Sequence, residues 1–221
     1  MKVSKETIDI LKNFSSINMS LLFREGKKLK TVDASKAVMA VANISETIPR
    51  EFAIYDLNQL IGLMSMFNEP ELKFGEKSLR IQDQTDSASF VYAAKEAIVA
   101  APDKEVNFPG AEIEFSLNGD TLTRALRAAS VLAVTHVAII GRDGKTYLAA
   151  LDANNNSSHM WETVVGKSDT NYRMIFRLDN LKVLPRDYNV VISSKGISKF
   201  SSTTGDVMYY IATETSSKFG E

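Results

Sequence analysis

Three groups of residues have types and spacings that could support chemistry. Asp152, Asn154 and Asn156 open like a calcium loop, with oxygen-bearing side chains at its first, third and fifth positions. The pattern then fails. Ser157 stands where the sharp turn needs glycine, and Thr163 stands where a bidentate glutamate is required. The segment reads as a polar loop between strands. The acid pairs Asp83/Asp86 and Glu112/Glu114 are the second group, suited in principle to general acid–base work. No third group completes either pair, so each reads as a solvated turn or strand face, and a hydrolase acting through Asp83 and Asp86 is the weakest alternative. His136 and His159 are the only histidines, and neither has a partner at metal-ligand or triad spacing. His159 stands beside Trp161 on an expected strand. There is no cysteine, which removes disulfides, thiolate metal sites and cysteine nucleophiles together. Phosphate-cradling G-x-x-x-x-G-K-[ST], G-x-G-x-x-G and G-x-S-x-G motifs are missing as well. The residues support no enzyme, no metal and no cofactor.

Charge sorting is the remaining signal. The net charge is −1, from 26 basic and 27 acidic residues, so the chain is no wholly basic nucleic-acid wrapper. Its cations nevertheless gather on helical faces. Lys2, Lys5 and Lys12 share the polar side of a first helix, opposed only by Asp9. Arg124 and Arg127 lie together on a third, with Asp120 at its start, where the macrodipole favours an anion. Lys182 and Arg186 mark a fourth, and the second has no Lys or Arg. Basic faces without aromatic platforms fit loose, sequence-blind contact with phosphates.

Elements must position these faces. With 221 residues, 44% of them hydrophobic and 24% charged, the chain suits one large or two smaller globular domains. Helical periodicity runs over Ser4–Ile17, capped by Ser4; Asp56–Phe67, capped by Asp56; Asp120–Ala133; and Asp179–Leu184, stopped by Pro185. Between them lie short alternating runs joined by tight turns, among them Arg142-Asp143-Gly144-Lys145 and Thr204-Gly205-Asp206. Antiparallel hairpins therefore dominate, and the class is α+β. The order helix, strands, strand into helix, strands occurs twice. Helix starts are 52 residues apart in the first half (4 to 56) and 59 in the second (120 to 179). This is a repeat of pattern rather than of letters. The Pro-bearing segment 95–110 reads as a connector between domains 1–94 and 111–221. No leader precedes the first helix and no run approaches a membrane span, so the chain is expected in the cytoplasm, away from membranes.

Two blocks carry a resemblance. The opening Met-Lys-Val-Ser-Lys-Glu-Thr with Leu11-Lys12-Asn13-Phe14-Ser15-Ser16-Ile17-Asn18 is one. Ala42-Asn43-Ile44-Ser45, followed by Ala53-Ile54-Tyr55-Asp56-Leu57-Asn58 through Leu63, is the other. Both resemble the sliding clamps of T-even-type bacteriophages. The likeness continues more thinly through Ala138-Ile139, Asp187-Tyr188-Asn189 and Lys199-Phe200. It implies two similar clamp domains, each with two helices on antiparallel sheet, and three chains closing head to tail into a six-domain ring. It also implies a processivity factor for DNA replication without catalysis, acting in the cytoplasm of an infected bacterial host.

Carried onto this chain, the resemblance makes Lys5, Lys12, Arg124, Arg127 and Lys182 contacts to duplex DNA in the bore, with Gln59 as the polar contribution of the second helix. Ser130 stands where the family carries a further basic residue. Strand 88–93, with Phe90 and Tyr92, is expected to pair with strand 160–165 of a neighbour, with Trp161 and Val164. A C-terminal peptide of the DNA polymerase is expected at Val38, Val99, Val106 and Phe108. A clamp-loader ATPase and late-transcription factors are the other implied partners. The rival reading is an oligomeric structural protein of a virus with no DNA in its centre, in which the basic helix residues would do nothing.

Overall fold

Ser4 opens the first helix by accepting the amide of Thr7 at 3.2 Å. The computed structural model describes residues 1–155 and 157–220, so Asn156, the fifth position of the calcium-loop spacing, lies outside the described residues. The chain divides into two compact units, Met1–Glu105 and Val106–Glu221. That division falls inside the segment read as connector.

The first unit runs α1 (Lys5–Ile17), β1 (Leu21–Phe23), β2 (Gly26–Val32), β3 (Val38–Ile48), β4 (Phe52–Ile54), α2 (Leu57–Met64), β5 (Glu71–Phe74), β6 (Ser78–Gln82) and β7 (Ser87–Val91), then a 3-10 turn at Lys95–Ala97. Every ladder is antiparallel: β1 with β4, β2 with β3, and β5-β6-β7 in order. α1 buries Thr7, Ile10, Leu11, Phe14 and Ile17, the stripe that its periodicity predicts. α2 buries Leu57, Leu60, Ile61 and Met64. It ends at Met64, short of Phe67. Beneath the helices Phe52 is an aromatic hub, stacked on Phe23 at 4.6 Å and Tyr92 at 4.8 Å.

The second unit repeats this order. It runs β8 (Ile113–Leu117), α3 (Gly119–Val131), β9 (His136–Arg142), β10 (Lys145–Leu151), β11 (Trp161–Lys167), β12 (Tyr172–Arg177), a 3-10 turn at Leu178–Asn180, then β13 (Tyr188–Ser193), β14 (Ile197–Ser202), β15 (Val207–Ala212) and β16 (Lys218–Phe219). One sheet has the order β11-β10-β9-β12-β16. The other ladder runs β8-β13-β14-β15. β8 pairs with β13 where the first unit has, among the described residues, only a bridge from Lys2 to Glu71. The β9–β10 turn has Asp143 at φ 52° and Gly144 at φ 73°, the left-handed pair that a two-residue hairpin demands. Phe200 packs edge-on against Phe176 and Tyr188 inside this unit.

The structure corrects further readings of these elements. α3 starts from Asn118, not Asp120: the Asn118 side chain accepts the amides of Asp120 and Thr121. His159 precedes β11 rather than lying on it. The fourth helix, expected over 179–184, is a single 3-10 turn of three residues. Its backbone is diverted at Leu184, whose amide donates to Tyr209 Oη at 3.2 Å and whose carbonyl accepts from Tyr188 Oη at 2.7 Å. Pro185 then disfavours helical conformation at Leu184.

Candidate nucleic-acid interface and assembly edges

α1 is fastened at its start by more than its cap. Glu46 of β3 accepts the Ser4 amide and, at 2.6 Å, the Thr7 hydroxyl. Partial burial pushes the Glu46 carboxyl up, but hydrogen bonds from Thr7, Ser4 and Ser45 outweigh it and bring its pKa to about 2. The helix is thereby fixed with its apolar stripe inward. Each residue turns by roughly 100°, so Lys5 and Lys12 fall opposite that stripe, spaced by about 10 Å along the axis. Both are exposed, and neither is ion-paired within the described residues.

α3 is held at its start by a close approach. Gly119 donates its amide to Asp187 at 2.8 Å, and a Cβ there would meet the Arg186 carbonyl carbon at 2.9 Å. Leu122, Ala125 and Ala129 face inward. Arg124 and Arg127 are exposed on the opposite side, with Val131, 76% exposed, projected between them. Ser130 lies roughly 90° off that outward line. The Arg124 guanidinium carbon sits 5.8 Å from the Trp161 ring centre, a cation–π distance. Arg127 has no ion pair among the described residues. Lys182 is exposed beyond the 3-10 turn, flanked by buried Leu181 and Val183, and so lies on irregular chain rather than a helical face. Gln59 is exposed on α2.

Two strands end their sheets. β7 pairs only with β6, and β11 only with β10, among the described residues. On β7 the alternation sends Ser87, Ser89 and Val91 outward. Phe90 is half-buried opposite Leu79, and the Tyr92 ring is committed to Phe52. The outward apolar residue is therefore Val91, 71% exposed, which spacing alone did not single out. On β11, Val164 is 51% exposed, while Trp161 is half-buried against the cluster of Ala129, Val134 and Ala150. Met160 and Val131 add exposed apolar surface to the same unit.

The connector residues separate in kind. Val99 is exposed, and Val106 and Phe108 are half-buried. Phe108 lies 6.5 Å from Tyr210 and 5.6 Å from Lys199 Nζ, partners that the sequence reading missed. Val38 is 2% exposed, at the start of β3, where its side chain faces the core and offers a peptide no surface.

The acidic pairs have structural employment. Asp83 accepts the amides of Asp86, Thr85 and Asn68, which hold its pKa down at about 2 and make it a turn anchor. Glu112 accepts the amide and hydroxyl of Ser194. No cluster of metal-binding side chains occurs among the described residues, and none of their helices is long and apolar enough to cross a membrane.

Two family descriptions match this chain: DNA polymerase processivity factor over residues 4–100, and gp45 sliding clamp, C terminal, over residues 114–215. The sliding clamp of Vibrio phage KVP40 is 35% identical over 97% of this chain and 99% of that protein. The sliding clamp of Escherichia phage RB69 is 30% identical over 98% of each. The fold is also similar to that of A. fulgidus PCNA, solved with the C-terminal region of FEN-1 bound, which aligns with a TM-score of 0.68 at 15% identity over 96% of both chains. Full-length identity to the phage proteins, on an α+β fold of two units with their basic helix faces turned outward, makes the chain a member of the T4-type phage sliding clamps, the non-catalytic processivity factors of DNA polymerase.

Proposed function

We propose that three copies of this chain close into a ring around duplex DNA in the cytoplasm of the infected bacterium. The single observation that carries this reading is the pair of outward stripes: Lys5 and Lys12 on α1, Arg124 and Arg127 on α3, cations with no carboxylate partner among the described residues. Lys182, exposed on the irregular segment, is a further basic residue of the proposed bore. Such charges draw phosphates without reading bases, and many weak, water-bridged contacts permit sliding. Topological linkage then replaces affinity.

The β7 edge of one copy pairs with the β11 edge of the next. Two open edges on one chain invite aggregation unless they are covered, and a head-to-tail contact covers both once the ring closes. Val91 and Phe90 meet Val164 and Trp161 in this arrangement, with Tyr92 beneath. The polymerase's C-terminal peptide seeks Val99, Val106 and Phe108, with Tyr210 and Lys199 beside Phe108. The PCNA solved with a FEN-1 C-terminal region supports a tail-binding role by analogy of fold. A clamp-loader ATPase opens the ring, and late-transcription factors share it.

Light scattering on a sizing column tests assembly first. The mass of three 24.4 kDa chains, falling on dilution, is the expected result. A monomer at every concentration overturns the ring. Lys12→Glu combined with Arg127→Glu tests the bore. The variant is expected to trimerise normally yet lose processive synthesis on primed DNA with loader and polymerase. Synthesis at the unsubstituted level would remove these residues from the DNA path.

A further inference from the structure

We propose that residues 99–105 form a latched strap on the first unit, with Arg24 as the latch. Arg24, in the turn between β1 and β2, makes two bonds to the strap at once. Its Nη2 donates to the Ala101 carbonyl at 2.8 Å, and its Nε pairs with the Asp103 carboxylate at 2.5 Å. Its side chain is only 24% exposed, so water screens these contacts less than those at the rim. Lys30 donates to the Asp103 carbonyl at 2.8 Å, and Lys28 pairs with Glu105 at 3.5 Å. Lys28 and Lys30 alternate along β2, so both reach from one face. The Asn18 side-chain amide secures the near end by donating to the Val99 carbonyl at 2.9 Å.

The consequence is a division of labour among cations. Arg24 and Lys28 are spent on the acids of the strap and Lys30 on its backbone carbonyls, and all three are withheld from phosphate. Docking then buries Ala101 to 2% exposure while leaving Val99 at 47%. Lys28–Glu105 is a rim pair with half or more of each side chain in water, and it yields first to salt. Arg24 holds the turn through a planar fork that an ammonium cannot reproduce. The strap is therefore an ionic-strength-sensitive mount for Val99 and, on the reading proposed above, for the polymerase's C-terminal peptide.

The absence of cysteine supplies the test, because Ala101→Cys places the only thiol of the chain under the strap. Its reaction with a maleimide dye reports strap opening. In this parent the rate is expected to rise at least ~3-fold between roughly 50 and 500 mM NaCl. Adding Arg24→Ala should raise the low-salt rate about tenfold, with Arg24→Lys intermediate. Asp103→Ala added to Arg24→Ala should change nothing more. Equal rates with and without Arg24, or a salt-indifferent parent, overturn the latch. If Ala101→Cys fails to fold, a dye on Lys104→Cys replaces it. Its anisotropy should drop when Arg24 is removed, and unchanged anisotropy overturns the proposal equally. The strap belongs to the first unit alone, so its failure leaves the ring reading standing.

Discussion

In each unit the fourth strand after the first helix, β4 or β12, leads into a second helical segment in the same way, yet only one of those segments forms a helix. In the first unit the Leu57 amide donates to the Met19 carbonyl at 2.7 Å, and in the second the Leu178 amide donates to the Thr135 carbonyl at 2.9 Å. The next residues then diverge. Asp56 precedes α2 and accepts the amides of Asn58 and Gln59 at 3.0 and 3.1 Å. Arg177 holds the corresponding place and gives the turn after it no side-chain cap. A guanidinium has only donors and cannot satisfy the free amides of a first turn. Leu184 is meanwhile gripped by two buried phenols. Burial raises Tyr209 to about 12 and Tyr188 further still, so both stay neutral hydrogen-bonding groups. One capping letter, one proline and two tyrosines thus decide between an eight-residue helix and a single turn.

Four sets of substitutions would break or sharpen this contrast. The largest effect should come from the buried side of the helix. Leu57 is fully buried, so Leu57→Ala should cost about 2–5 kcal/mol in urea unfolding, whereas Leu178→Ala, at a half-buried position, should cost about half as much or less. Glu46 should come next. Its pKa is depressed to about 2 from 4.5, so its contribution is complete above pH 4.5 and is lost as pH falls through about 2. Glu46→Gln should remove on the order of 2 kcal/mol at neutral pH and flatten the acid limb of the stability curve, because Gln cannot answer both Ser4 and Thr7 with charge. Asp56→Ala should cost about 1 kcal/mol, while Arg177→Ala should cost almost nothing, having no cap to lose. Equal losses at the two positions would sink the capping explanation. The smallest effects should be gains. Gly62 lies within α2 with open space where a Cβ would go, and Gly62→Ala should add up to ~1 kcal/mol. Ala133 ends α3 at φ 53°, with the Val134 amide closing back on the Ala129 carbonyl at 3.0 Å. Ala133→Gly should relieve that left-handed strain by about 0.5 kcal/mol.

The letters told most where a local rule acts alone. Ser4 and Asp56 announce their helices because an oxygen at the N-cap satisfies amides that nothing else reaches. Asp143-Gly144 announces its hairpin because few other pairs accept two left-handed residues. Lys5, Lys12, Arg124 and Arg127 project outward as helical periodicity requires. Legibility fails where tertiary partners compete. The segment 179–184 has helical spacing, but Tyr188 and Tyr209, distant in the chain, take the backbone of Leu184. Val38 read as a surface neighbour of the connector because nothing in its letter tells a strand's inner end from its outer. Phe90 and Tyr92 stand on the expected edge strand 88–93, whereas the pleat of β7 turns Val91 outward. The run from Val131 to Val134 looks uniformly apolar, but the turn at Ala133 leaves the first exposed and buries the last to 6%.

Arg124 over the Trp161 ring has one more consequence. Trp161 is the only tryptophan in 221 residues, and it opens the strand whose far side has no partner among the described residues. Its indole therefore works as a built-in optical gauge. Any event that dries the β11 edge shifts its emission to shorter wavelength, and any event that draws the guanidinium away alters its brightness. With no second fluorophore of its kind, both changes can be followed in unlabelled protein.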